Sequence, residues 1–447
     1  MAAFTVAMAV IFSACGGPSR SYKMQLNAQL SQQDYAAAEA LLAKNKDFEY
    51  GQKNQVLYDF DDGAILHHDG KYKESDASFD RAEQRMEELY TKSVTKTAGM
   101  VVLNDTTVDY AGEPFERALA HVYRALNYVF LGMPDEALVE SRKVEIFLEE
   151  LNARFQDKSV YKDDAFARYL DALLYADVGQ MDDARISMQK AMEAYAWYAT
   201  SYGTPTPRFE SSSLSVPVPL QGELVFIHYN GLAPLKVSKS FQVAWGQGLA
   251  MAHASNDTEA HGTQFTNALR AGITGHAITV AYPEYQAQPC FIQNSEVVVD
   301  GAESSPTILM EDIQAIAAKT LQDRMPLIKA RAVTRAVVKF VLAKAAADAA
   351  GRVCDLKFGS GWQGAVCRSV ASGLSQGAAA ATEIADTRCW GTLPAQIRMA
   401  RLKVPAGKHT ITVNFKNAVG AIISSHVFSD IEIKKGKRTY LSYRTAI

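Results

Sequence analysis

Two short stretches hold residue types that could do chemistry. In "YDFDDGAILHHDG", Asp59, Asp61 and Asp62 precede His67 and His68, a mixture of carboxylates and imidazoles that could bind a metal ion. A calcium loop starting at Asp59 needs glycine at its sixth place and glutamate at its twelfth, and those places hold Ala64 and Gly70. Adjacent histidines point about 100° apart on a helix, so His67 and His68 cannot readily share one ion. In "YAGEPFERALAH", Glu113 and Glu116 stand three apart ahead of His121, a pair that could do acid–base work if the two environments differ. Gly112 and Pro114 mark a helix start instead, where acidic residues complement the helix dipole. G-x-x-x-x-G-K-S/T and H-E-x-x-H are missing from the sequence, while G-x-G-x-x-G at 359–364 and G-x-S-x-G at 373–377 fall in a helical and Gly/Ala-rich stretch without the preceding strand that either motif requires. No catalytic residue, metal or cofactor is assigned, and a non-enzymatic role is the expectation.

Cysteine usage points to a compartment. Residues 2–14 form an uncharged run ending in Ser13 and Ala14, too short to cross a bilayer but suited to a signal peptide, and Cys15 follows at once. Phe12-Ser13-Ala14-Cys15 resembles the lipobox of bacterial lipoproteins. The resemblance implies cleavage before Cys15, acylation of its thiol and new amino terminus, and a stable membrane anchor from two or more chains. Gly16 after the cysteine resembles lipoproteins passed on to the outer membrane, facing the periplasm. Cys290, Cys354, Cys367 and Cys389 then form an even set in an oxidising space, where free thiols and bridges both remain open. Cys354 and Cys367 flank a glycine-rich loop and could form a local disulfide. The absence of any C-x-x-C pair argues against a zinc ribbon or a thioredoxin-like site.

The bulk composition excludes other classes. The 447 residues suggest two or three domains, and 48% hydrophobic with 21% charged residues is globular composition. A net charge of −3 offers no basic field for nucleic acid.

The elements that would position these residues fall into two halves. From 22 to 200, four segments align: "QQDYAAAEALLAKN", "DGKYKESDASFDRA", "LGMPDEALVESRKV" and "VGQMDDARISMQKA". Gln33, Gly70, Gly132 and Gly179 take the turn, with small Ala38, Ser75, Ala137 and Ala184 five residues on. Leu42, Phe79, Ser141 and Met188 follow at nine. This pattern resembles the tetratricopeptide repeat, although the turns lie 37, 62 and 47 residues apart rather than at a regular period. The resemblance implies helical hairpins stacked around a concave groove. Places that hold Trp and Leu in those repeats, facing the second helix, hold Asp59, Asp62, His121, Arg124, Arg168 and Asp171 here. Leu57 and Phe60, then Leu119, Val122, Leu126 and Val129, then Phe166, Tyr169 and Leu173, form the apolar stripe that would line the groove. Large apolar patches mark contact sites, so either this chain's own second half or a partner protein covers it.

Gly, Pro and Ser collect at 201–222, the expected linker. Strand-like runs occupy 223–304, a helical and Gly/Ala-rich insert 305–385, and alternating strands 386–447. Ser305-Pro306 is expected to cap a helix, Pro326 to split it and Gly351 to end it. Arg331, Arg335 and Lys339 recur every four residues amid valines, a basic stripe on an otherwise apolar helix. The expected fold is thus α+β: a signal peptide at 1–14, a tether at 15–21, and a tetratricopeptide-like helical hairpin array, followed by an antiparallel β domain with a helical insert. "YAGEPFERALAHVYRALNYVFLGMPDEALVESRKV" and "ADTRCWGTLPAQIRMARLKVPAGKHTITV" resemble a family of uncharacterised, repeat-bearing bacterial lipoproteins, which implies the same layout. The implied role is a lipid-anchored envelope scaffold that binds a partner protein. The alternative is a cell-wall or glycan-acting enzyme or binding protein with a site between the halves.

Overall fold

The computed structural model describes residues 17–95, 108–155, 159–208, 214, 220–244, 277–359, 361–370 and 385–447. Eight α-helices come first: α1 (Arg20–Ser31), α2 (Tyr35–Asn45), α3 (Gln55–His68), α4 (Tyr72–Thr95), α5 (Pro114–Phe130), α6 (Pro134–Phe155), α7 (Ala165–Asp177) and α8 (Met181–Ser201). They pack as four successive hairpins. The turn positions Gln33, Gly70, Gly132 and Gly179 have φ of 58°, 76°, 73° and 82°, a left-handed conformation that glycine adopts without penalty. Gln33 adopts it with a side chain, whose Nε2 donates to Arg444 O and whose Oε1 accepts from Tyr443 OH, each at 2.9 Å. Ala38, Ser75, Ala137 and Ala184 are completely buried where the two arms of each hairpin meet.

Within and between hairpins many of the contacts are polar. Arg81 of α4 donates to Asp59 of α3 at 3.1 Å, and Ser78 Oγ donates to Asp62 at 2.6 Å. Arg124 of α5 reaches Asp76 of α4 at 2.8 Å and pairs with Glu83 as well. Asp171 of α7 accepts from Ser141 of α6 at 3.0 Å and Ser187 of α8 at 2.5 Å. With those faces satisfied by hydrogen bonds, the apolar stripe of α3, α5 and α7 turns the other way.

The second half supplies what that stripe packs on. Its elements are β1 (Gln221–Asn230), β2 (Leu235–Ala244), β3 (Ala277–Gln286), β4 (Asn294–Val299), β5 (Glu303–Pro306), β6 (Ile308–Asp312), α9 (Ile313–Phe358), β7 (Gln396–Pro405), β8 (Gly407–Lys416), β9 (Ile422–Ile433) and β10 (Arg438–Thr445). One sheet has the order β10-β1-β7-β6 and a second β5-β4-β8-β9, while β2 and β3 form a separate hairpin. Pairing is antiparallel except between β1 and β10. The fold is α+β, with α9 inserted between β6 and β7.

Side chains alternate across a strand, so β1 serves two cores. Leu224 and Phe226 join Val297, Leu402, Val413 and Phe415 between the two sheets. Val225, Ile227 and Tyr229 join the core of the helical array. Buried ion pairs fasten the junction: Arg438, its side chain fully buried, donates to Glu223 at 2.7 Å and to Asp177 of α7 at 2.5 Å. Arg401 of β7 donates to the Tyr169 hydroxyl at 2.8 Å.

Three local expectations are corrected. Ser305 and Pro306 do not cap a helix but lie in β5, paired with β4 alone, an edge position where proline's missing N–H breaks no ladder. Asp312 is the cap instead, its Oδ1 accepting from Ala315 N at 2.9 Å. Neither Pro326 nor Gly351 interrupts α9, which packs through Ile316, Ala317 and Leu321 before the proline and Val333, Val337 and Val338 after it. Helix also begins at Arg20, inside the stretch expected as tether.

Candidate functional site

The concave face of the helical array is the site that the sequence singles out. Leu57, Phe60, Leu119, Val122, Leu126, Phe166, Tyr169 and Leu173 are buried, and Val129 is half-buried against the same core. What covers them is the chain itself. On one side lie Val225, Ile227 and Tyr229 of β1 with Met310 and Met399; on the other, residues 385–395 run through the groove without regular structure. A partner therefore has no access to these nine positions.

The 385–395 segment is held along its length. The Trp390 ring stacks on Phe60 with centroids 4.6 Å apart and lies 5.7 Å from both Phe79 and Tyr123. Its backbone N–H donates to Glu116 at 2.8 Å, and Thr392 Oγ1 donates to Asp61 at 2.8 Å. Arg388 reaches the Val108 carbonyl at 2.8 Å and Asn54 at 3.2 Å while paired with Asp386 at 2.7 Å. The mode resembles that of an extended peptide in a groove, with an aromatic anchor and backbone hydrogen bonds.

The titratable residues of both opening stretches converge here. Asn127 donates its amide N–H to Ser75 Oγ at 2.9 Å, so its oxygen accepts from His67 Nδ1 at 2.6 Å, which places the His67 proton on Nδ1. His67 Nε2 then accepts from the Tyr229 hydroxyl at 3.0 Å. Burial lowers His67 to about 4, opposed by the Asn127 bond, and the ring is neutral. His68 sets its ring against Tyr229, with centroids 4.9 Å apart, and against Tyr123 at 5.8 Å, and burial lowers it well below the ordinary histidine value. Burial raises Asp61 to about 6 despite donors from Tyr50 and Thr392. Glu116 is raised to about 7 by burial, against the pull of the Lys236 charge and hydrogen bonds from Trp390 N–H and the Tyr110 hydroxyl. For Glu113, burial acts upward too, but Lys236 and Arg324 outweigh it and the carboxyl is lowered.

Shifted carboxyls at a junction are what an acid–base site would require. Here each is consumed by protein donors, and neither Glu116 nor Asp61 lines any of the described cavities. The arrangement orients the 385–395 segment and seals it against water. Asp59 and Asp62 lie apart from His67, bonded to α4, so the first stretch does not assemble a metal site.

A second cluster lies on the outer side of α4, α5 and α6, beside a cavity of about 540 Å³ lined by Tyr90, Arg117, His121, Lys143, Phe147 and Arg154. Ligand atoms of Glu83, His121 and Glu140 there fall within 4.8 Å of one another. Arg124 and Lys143 already bridge both glutamates, at 3.0–3.4 Å where Lys143 or Glu140 takes part, so the carboxylate oxygens of the trio are already engaged by protein cations.

Cys15 lies outside the described residues. Cys354 and Cys367 are disulfide-bonded, and Cys290 and Cys389 are free thiols. Residues 386–395, expected among the C-terminal strands, have no regular structure and fill the groove instead; in the sequence, ADTRCWGTLPAQ stands out for a family resemblance and not for this role. Comparison with protein-family models, curated proteins and solved structures finds no match.

Proposed function

We propose that this protein is a non-enzymatic, lipid-anchored scaffold of the bacterial cell envelope that binds its partners on outer surfaces rather than in its groove. One observation carries the reading: the groove expected to hold a guest is filled by residues 385–395 and β1, and the shifted carboxyl and imidazole groups beside it are tied up in holding that filling. The helical array and the sheets share one core, as a rigid platform requires. The anchor rests on the lipobox-like run ending in Cys15. Ser19 is already pinned to Glu49 by bonds of 2.7 and 3.0 Å, so the four steps of chain from Cys15 to Ser19 span at most about 14 Å and the body would sit close to the bilayer.

Two measurements test this. Mass spectrometry of the amino-terminal peptide is expected to find acylated Cys15 as the first residue; an intact, unacylated peptide overturns the anchor. Proximity crosslinking in cells is expected to capture envelope proteins whose yield drops with Cys15→Ser, and equal capture by both forms overturns anchored scaffolding.

A further inference from the structure

The far half of α9 leaves the body. Its residues 332–338 are buried, but from 345 onward the described side chains are mostly exposed, with Gly351 and Cys354 the buried exceptions. There a short helix, 362–370, folds back and is joined by the Cys354–Cys367 disulfide. The turn is tightly built: Gly359 has φ of 69°, and a Cβ on Gly364 would come within 2.0 Å of the Gly359 carbonyl oxygen. Some 20 residues separate Val338 from Phe358, which carries this tip about 30 Å past the last buried valine.

The tip is apolar where water should be. Val353, Leu356, Phe358, Trp362, Val366 and Val370 are 60%, 89%, 48%, 76%, 54% and 55% exposed. Trp362, Val366 and Val370 recur at four-residue spacing, so they form one stripe on the short helix. Soluble surfaces rarely present such a group without a contact to make. The projecting part also carries exposed cations. Residues 345–370 hold Arg352, Lys357 and Arg368 against Asp348 and Asp355, and Asp355 is paired with Arg368, on a chain whose net charge is −3.

We infer that this disulfide-stapled tip docks onto a bilayer containing anionic phospholipid. Trp and Phe side chains settle at the headgroup level, Leu and Val reach the acyl boundary, and exposed Arg352 and Lys357 meet lipid phosphates. A second copy of the arm fits less well, since two arms of like charge repel. The contact is separate from the proposed anchor. Pro18 and Arg20 lie beside Leu235–Ser238 at the start of β2, whereas α9 passes Phe241 and Tyr282 at Lys329 and runs on from there.

The test uses the full chain with Cys15→Ser, so that no acyl chain contributes. Vesicles of phosphatidylethanolamine and phosphatidylglycerol are expected to co-sediment it at least tenfold more strongly than phosphatidylcholine vesicles. The Leu356→Ser/Trp362→Ser variant is expected to lose at least tenfold of that binding with unchanged circular dichroism and Tm, and Arg352→Glu/Lys357→Glu to lose the preference for anionic lipid. Equal binding by the Leu356/Trp362 variant, or no binding to anionic vesicles, overturns the proposal. So does lipid-free self-association that this variant abolishes, because the tip would then belong to a second copy.

Discussion

Glu116 shows how one carboxyl can couple the groove to pH. Its folded value of about 7 lies above the 4.5 of an ordinary glutamate, so the folded chain holds an extra proton between those values. Stability from this group is therefore fully present below about pH 4.5 and falls as pH rises through 7, by roughly 3 kcal/mol in all. Asp61 has the same sign over a lower window, up to about 6. His67 has the opposite one: its neutral form is required, so its contribution is complete above 6.5 and declines as pH falls toward 4. Glu116→Gln cannot ionise. At pH 5 it is expected to be about 1 kcal/mol less stable than the wild type, because an amide offers one acceptor fewer. At pH 8 the gap should close or reverse, and urea unfolding at the two pH values reads it; an equal gap at both removes Glu116 as the titrating group. The sequence presented Glu113 and Glu116 as a helix start, which they are, and could not show that Trp390, 274 residues later, would bury one of them.

At the scale of elements, the helical hairpins invert a familiar division of labour. Ion pairs and hydroxyls hold much of the contact between neighbouring helices, and the apolar stripe is spent on the sheet. Arg124, only 6% exposed, is the centre of this scheme, bound to Asp76 and Glu83 of α4 and Glu140 of α6. Arg124→Met would leave four acidic groups, Asp76, Asp80, Glu83 and Glu140, around a neutral side chain with Lys143 alone among the described residues to offset them. The expected loss is roughly 3–5 kcal/mol in urea unfolding, well beyond the loss of an exposed pair. Turn positions and the small residues after them could be read from sequence because left-handed φ and close helix approach are local demands. The polar places Asp59, Arg124 and Asp171 were legible as departures from a repeat, but their partners lie on other helices. Pro326 misled because packing on both sides of it outweighs the local cost of about 3 kcal/mol. Ser305-Pro306 misled because a cap and an edge strand share the same residue types.

For the whole molecule, the shared core makes the helical half dependent on the rest. Residues 17–208 expressed alone would expose Leu119, Leu126, Phe166 and Leu173, all now covered. Such a fragment is expected to bind more anilinonaphthalene sulfonate than the full chain and to melt without a cooperative transition, whereas the full chain should melt cooperatively. A fragment that melts sharply would mean the stripe needs no sheet. The location of the groove filler could not be read from sequence, because a coil segment has no periodicity and its contacts are all distant. The placement of β1 between β7 and β10 has a temporal consequence. Glu223 waits for Arg401 and Arg438, 178 and 215 residues downstream, so synthesis must run nearly that far before its strand gains either neighbour. On the ribosome, the emerging helices would spend many seconds with their oily side bare, and nascent-chain chaperones would be their first cover.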